Sequence, residues 1–106
     1  MTSRQPVRVM FTGYAPVHFV CFRPLYERLL RTPGVEVQLS GGLRTRIGSG
    51  YRYDERALYA PFGVAAETLV STAELPDLEC DVLFAANTKM IAPARVGKRV
   101  QIFHGI

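Results

Sequence analysis

Apolar positions fall in short runs punctuated by glycine and proline, and the spacing within each run assigns it to a strand or a helix. Val7 to Thr12 (VRVMFT) is rich in strand-forming residues, is closed by Gly13 and is followed by Pro16, which predicts a strand ending in a loop. From Phe19 to Leu30 the apolar positions recur at helical spacing, with Phe22, Leu25, Tyr26, Leu29 and Leu30 on one side and Arg23, Glu27, Arg28 and Arg31 elsewhere. Pro24 suits a first turn, so the regular helix is expected to begin there, and Thr32-Pro33-Gly34 stops it. Val35 to Ser40 (VEVQLS) alternates as a second, less buried strand that Gly41-Gly42 breaks. Strand, helix and strand in succession form a βαβ unit, whose near-universal right-handed crossover makes the strands parallel.

Gly41 to Tyr53 is rich in glycine and arginine and shows no hydrophobic period, which predicts a long mobile loop. Asp54 is placed to cap a short helix through Tyr59, and Pro61-Phe62-Gly63 ends it. Thr68 to Ser71 is a candidate third strand, and Ser71 to Glu74 has the spacing of a capping box opening a brief turn before Pro76. Asp81 to Ala86 (DVLFAA) reads as a buried strand, Asn87-Thr88-Lys89 as its exit loop, Ile91 to Val96 as a short proline-interrupted helix, and Arg99 to Phe103 (RVQIF) as the last strand. The fold class is therefore α/β, a Rossmann-like, doubly wound parallel sheet of about five strands in the order 3-2-1-4-5.

The 106 residues, 48% of them hydrophobic and 21% charged, form one globular domain over 1–106. The net charge of +4 raises the question of an anionic partner. Arg44, Arg46, Arg52 and Arg56 gather around the glycine-rich stretch while the other arginines scatter, which favours a phosphate-bearing small molecule over nucleic acid. Cys21 and Cys80 each sit in an apolar run and read as small buried hydrophobes. His18 and Cys21 have the spacing of half a metal site without a second half, so neither a metal nor a cofactor is expected. No apolar signal core follows Met1 to Pro6 and no run is long enough to cross a bilayer, which makes the cytoplasm the expected location. The chain stops at Ile106, directly after a strand and before any helix to cover it, so a fragment is expected, completed by a missing domain or by a second copy.

Ligands of open α/β sheets bind outside the carboxyl ends of the strands, which selects Gly13 to His18, Asn87 to Lys89, and His104-Gly105. Both histidines belong to this set, and a histidine there takes a proton from an attacking hydroxyl at neutral pH. The plainer alternatives are a strand-end histidine for His104 and a packed helix-entry histidine for His18. Tyr14 is either a wall of the same cleft or a packing partner of Pro16. Gly41-Gly42-Leu43-Arg44 is suited to an anion through its backbone N–H groups and its guanidinium, though it has no nucleotide-binding fingerprint and a solvated loop accounts for it as well.

Arg99-Val100-Gln101-Ile102-Phe103-His104-Gly105-Ile106 resembles the strand and His-Gly motif of CDP-glycerol glycerophosphotransferase-like proteins. The order of VRVMFTGYAPVHF, SGG and CDVLFAANTK is similar to the N-terminal half of their GT-B glycosyltransferase fold. The resemblance implies the acceptor-side domain of a transferase that moves glycerol phosphate or a sugar from a nucleotide-activated donor to a hydroxyl. It implies His104 as catalytic base with His18 as second candidate, beside the substrate-binding candidates read from the loops themselves: Gly13, Tyr14, Gly41, Gly42, Arg44, Asn87, Lys89 and Gly105. The family's C-terminal donor-binding domain is absent, so the chain alone is expected to be inactive. The resemblance also implies attachment at the inner face of the membrane. The alternative is a non-catalytic Rossmann-like module that binds a nucleotide or phosphate.

Overall fold

Alternation along the first strand sets the architecture. In a computed structural model describing residues 5–86, 93 and 95–101, β1 (Val7–Gly13) is the inner strand between β2 (Val35–Gly41) and β5 (Glu79–Ala85). Its side chains therefore point into two separate cores. Val9 and Phe11 face α1 (Pro16–Leu30) and pack with Phe19, Phe22, Tyr26, Val37 and Leu39, whereas Met10 packs with Leu75, Leu83 and Ala85 in a second cluster. Phe11 is the hub of the first core, its ring 5.2 Å from that of Phe22 and 4.9 Å from that of Phe84.

The main sheet is parallel and four-stranded, in the order β2-β1-β5-β6, with β6 running Arg95–Gln101. The expected third strand at Thr68 to Ser71 is not one. Among the described residues the segment pairs with the sheet through a single bridge from Leu39 to Leu69, with Val70 N–H donating to the Leu39 carbonyl at 2.8 Å. It does lie against β2, where a third strand would have extended the sheet, but the 3₁₀ turns Ala66–Thr68 and Thr72–Asp77 on either side leave no length for a ladder.

Helix α1 starts at Pro16, not Pro24. Pro16 presets the first-turn dihedral, and Phe19, Phe22 and Tyr26 gain burial only if the helix is continuous past Pro24. The carbonyl that Pro24 leaves without a donor belongs to Val20, whose position is on the solvent side of the helix. Leu25 and Leu30 are partly exposed on the flanks, and Cys21 lies on the exposed face, not in the core. Cys80 is buried, and burial followed by the nearby Asp81 charge pushes its thiol upward.

The expected loop from Gly41 to Tyr53 is an antiparallel hairpin, β3 (Leu43–Ile47) and β4 (Gly50–Asp54), turned by Gly48 and Ser49. Gly48 has φ +58°, the positive value that a glycine-first two-residue connection requires. Asp54 caps α2 (Glu55–Tyr59) by accepting from Ala57 N–H at 3.0 Å, and left-handed Gly63 closes the turn Ala60–Phe62. Ser71 precedes the turn Thr72–Asp77 as expected, but its side chain makes no cap. Arg95 and Val96, expected at the end of a short helix, are on β6 and Pro93 belongs to no element, while 91, 92 and 94 lie outside the described residues.

The ends of β1 and β2 approach each other closely. Gly42 N–H donates to the Gly13 carbonyl at 2.9 Å, and a Cβ on Gly41, which has φ +79°, would lie 2.0 Å from that same oxygen. Gly41→Ala is therefore expected to destabilise the protein by about 2–4 kcal/mol, read as a lower urea midpoint followed by circular dichroism. An unchanged midpoint would show that the approach is not needed.

Candidate functional site

Because the strands are parallel, Gly13, Gly41 and Ala85 end on one edge of the sheet. From β1 the chain passes to β2 on one side, while β5 flanks β1 on the other, so this edge is where connections diverge and ligands of such sheets bind. Gly13 is buried there, and a Cβ on it would meet that of His18 at 2.8 Å; its bareness admits the histidine.

His18 is 2% exposed, in the first turn of α1. Its Nδ1 accepts the Tyr14 N–H at 3.0 Å, and the two rings meet edge to face at 4.5 Å. This bond assigns the neutral ring its proton on Nε2. The bond ties the turn after β1 to the first turn of α1.

Gly41 and Gly42 do not present their N–H groups to a ligand. Gly41 N–H donates to Thr72 Oγ1 at 2.9 Å, and Gly42 N–H goes to Gly13. Thr72 in turn donates through its hydroxyl and its N–H to Glu55 Oε2, at 2.7 and 3.1 Å. The glycine pair is thus a structural joint that ties β2 to β1, to the turn Thr72–Asp77 and to α2.

Arg44 is placed differently. It projects from β3, and its guanidinium carbon lies 4.1 Å from the centroid of the Tyr14 ring and 4.4 Å from that of Tyr51. Among the described residues no carboxylate pairs with it; the ion pair found there is Arg23 with Glu27 on α1. Ring contacts hold a guanidinium without consuming its in-plane N–H donors, which remain available for a bidentate anion. Tyr14 is half-buried just beyond the end of β1, so this contact joins the hairpin to that end of the sheet. The structure thus brings Gly13, Tyr14, His18, Gly41, Gly42 and Arg44 together at one edge. Asn87, Lys89, His104 and Gly105 lie outside the described residues.

Two participants were not legible as site residues. Tyr51 has a local signal, the turn pair Gly48-Ser49 between two short runs. Tyr59 has none: it is fully buried, and its hydroxyl donates to the Ser40 carbonyl at 2.6 Å beneath the glycine joint. Among the described residues no group of three His, Cys, Asp or Glu side chains is placed to hold a metal ion, and no helix is long and apolar enough to cross a membrane.

No protein-family model, curated protein or solved structure matches this chain.

Burial, and after it the charge of Glu55, holds the Tyr59 phenol well above the ordinary tyrosine range. A phenol whose pKa is raised by folding contributes stability that is complete below the unfolded value, near pH 10, and is lost as pH rises above it. Urea unfolding stability is expected to fall as pH rises past about 10, with a shallower fall in Tyr59→Phe, which at pH 7 costs about 1 kcal/mol for the lost hydrogen bond. Equal alkaline losses in both proteins would remove Tyr59 from the account.

Proposed function

We propose that the carboxyl-end edge of the sheet binds a phosphate-bearing small molecule, and that the chain is the Rossmann-like, acceptor-side half of a transferase. That enzyme would move glycerol phosphate or a sugar from a nucleotide-activated donor, in the cytoplasm against the inner face of the membrane. The supporting observation is Arg44, a cation without a carboxylate partner among the described residues, held over Tyr14 and Tyr51 where β1 ends. A planar guanidinium matches the oxygens of a phosphate, and ring contacts limit the side-chain freedom that binding would otherwise remove. The parallel sheet supports the choice of edge.

The transfer itself is assigned through the resemblance of the segment ending in His104-Gly105. In this reading His104 accepts the proton of the acceptor hydroxyl as that oxygen bonds to the phosphorus of the glycerol phosphate, or to the anomeric carbon of a sugar. The bond to the nucleotide breaks, and its electron pair leaves on the nucleotide's phosphate oxygen. His18 serves through Tyr14, as a positioning residue for the ring against which Arg44 rests.

The second reading, a non-catalytic nucleotide- or phosphate-binding module, is favoured by one observation. At this edge the described residues offer an anion-binding cation, while His18 Nδ1 and the Gly41 and Gly42 N–H groups are engaged within the protein.

Calorimetric titration with CDP-glycerol and with inorganic phosphate tests the shared premise. Arg44→Gln is expected to weaken binding about tenfold or more, and equal affinity in the two proteins would remove Arg44 from the site. Transfer assays separate the readings: His104→Ala in a preparation that transfers glycerol phosphate is expected to lose about 10²–10⁴ in rate, and full activity in that variant would leave the binding module.

A further inference from the structure

The hairpin has a second feature that the phosphate reading does not use. Its ladder pairs Arg44 with Tyr53 and Arg46 with Tyr51, and directly opposed residues of an antiparallel pair share a face. Two arginines and two tyrosines therefore alternate on one side of β3 and β4, and no acidic residue occurs from Gly41 to Tyr53. Tyr51 remains 53% exposed although Arg44 lies against it. Beside this face Tyr51, Arg52 and Tyr53 line an open groove of about 360 Å³ with Glu55, Ser71 and Thr72.

We propose that this face is a nucleoside subsite, so that the cleft's ligand is a nucleoside diphosphate whose base stacks on Tyr51 and whose phosphates bridge Arg44 and Arg46. The inference rests on the phosphate reading and adds the chemical class of the ligand. Distances fit it. The guanidinium carbon of Arg44 is 4.4 Å from the Tyr51 centroid, and a base stacked on the ring's other side at van der Waals contact would lie about 8 Å from that cation. This is on the order of the reach from a base plane to the second phosphate of a nucleotide. Arg44 and Arg46 are two residues apart on one strand, about 7 Å along the backbone, so two flexible side chains can meet the oxygens of one diphosphate. The groove holds a single nucleoside, and a pocket of this size is in the range for small ligands. A longer nucleic acid is disfavoured, because the groove wall carries the Glu55 carboxylate, which repels a continuing phosphate backbone.

The test is a calorimetric titration of the chain with UDP, CDP, ADP and GDP, with inorganic pyrophosphate, and with a ten-nucleotide oligouridylate. At least one nucleoside diphosphate is expected to bind ten times more tightly than pyrophosphate. Tyr51→Ala should reduce that nucleotide to the pyrophosphate level, and Tyr51→Phe should keep the preference because the ring is retained. Ring-proton NMR shifts of Tyr51 and Tyr53 on adding the nucleotide, without equal shifts on adding pyrophosphate, provide a readout independent of whether the alanine variant folds. Nucleotides no tighter than pyrophosphate, or unmoved tyrosine resonances, would overturn the subsite while leaving the phosphate site in place. An oligouridylate that binds ten times tighter than every nucleotide would overturn it in favour of a strand-binding face. Absence of any binding by pyrophosphate and nucleotides alike, with Arg44→Gln indistinguishable from the parent, would overturn the phosphate reading itself.

Discussion

The close approach of the β1 and β2 ends is the constraint on which the rest of the site depends. Gly41 takes a left-handed backbone, its Cβ position is filled by the Gly13 carbonyl, and Gly42 N–H bonds that carbonyl. The chain is thereby turned out of the sheet, and the hairpin begins beside the end of β1. Only from that start does Arg44, two residues beyond Gly42, reach Tyr14. The joint is held from below by Tyr59 on the Ser40 carbonyl and from the side by the relay Gly41, Thr72, Glu55. Every buried polar group in that relay has a partner, which is what allows a half-buried carboxylate to sit under a backbone turn. Thr12 Oγ1 is the buried exception, without a partner among the described residues.

The two cores divide the work of holding this joint. The aromatic cluster around Phe11 fixes α1 and α2 against β1 and β2, and so fixes both the His18 end of α1 and Tyr59. Burying each of these rings contributes on the order of 1.5–3 kcal/mol, much more than a surface ion pair such as Arg23 with Glu27. The smaller cluster under Leu75 and Leu83 fixes the turn Thr72–Asp77, which carries Thr72 to Gly41. The site is thus assembled by packing on both faces of one sheet.

Charge in the hairpin follows a different logic from charge in the rest of the chain. On α1 the acids and bases compensate locally, as with Arg23 and Glu27 four residues apart. On β3 Arg44 has the Tyr14 and Tyr51 rings as neighbours in place of a carboxylate, so its charge is oriented without being neutralised. A cation in that state retains its affinity for an outside anion, and its long-range field is screened only over about 8–10 Å at ordinary salt.

The sequence alone determined the elements whose period is tied to burial: β1, β2, β5 and the body of α1, together with the βαβ succession and hence the parallel class. It also placed Asp54 at a helix start and put Gly13, Tyr14 and His18 at a strand end. The hairpin was readable in principle from Gly48-Ser49 between two five-residue runs, but its exposed strands lack a buried face, and periodicity has nothing to report when neither face is hidden. The third strand failed for a converse reason, since Thr68 to Ser71 has strand-forming residues but too short a stretch between turns to pair. Tertiary structure alone decided what meets across distance: Arg44 with Tyr14, Gly41 with Thr72, Tyr59 with Ser40. A sequence pattern records which side of an element is hidden from water, whereas a site is made of contacts between elements, and those are fixed only when the cores close and bring the strand ends within hydrogen-bonding reach.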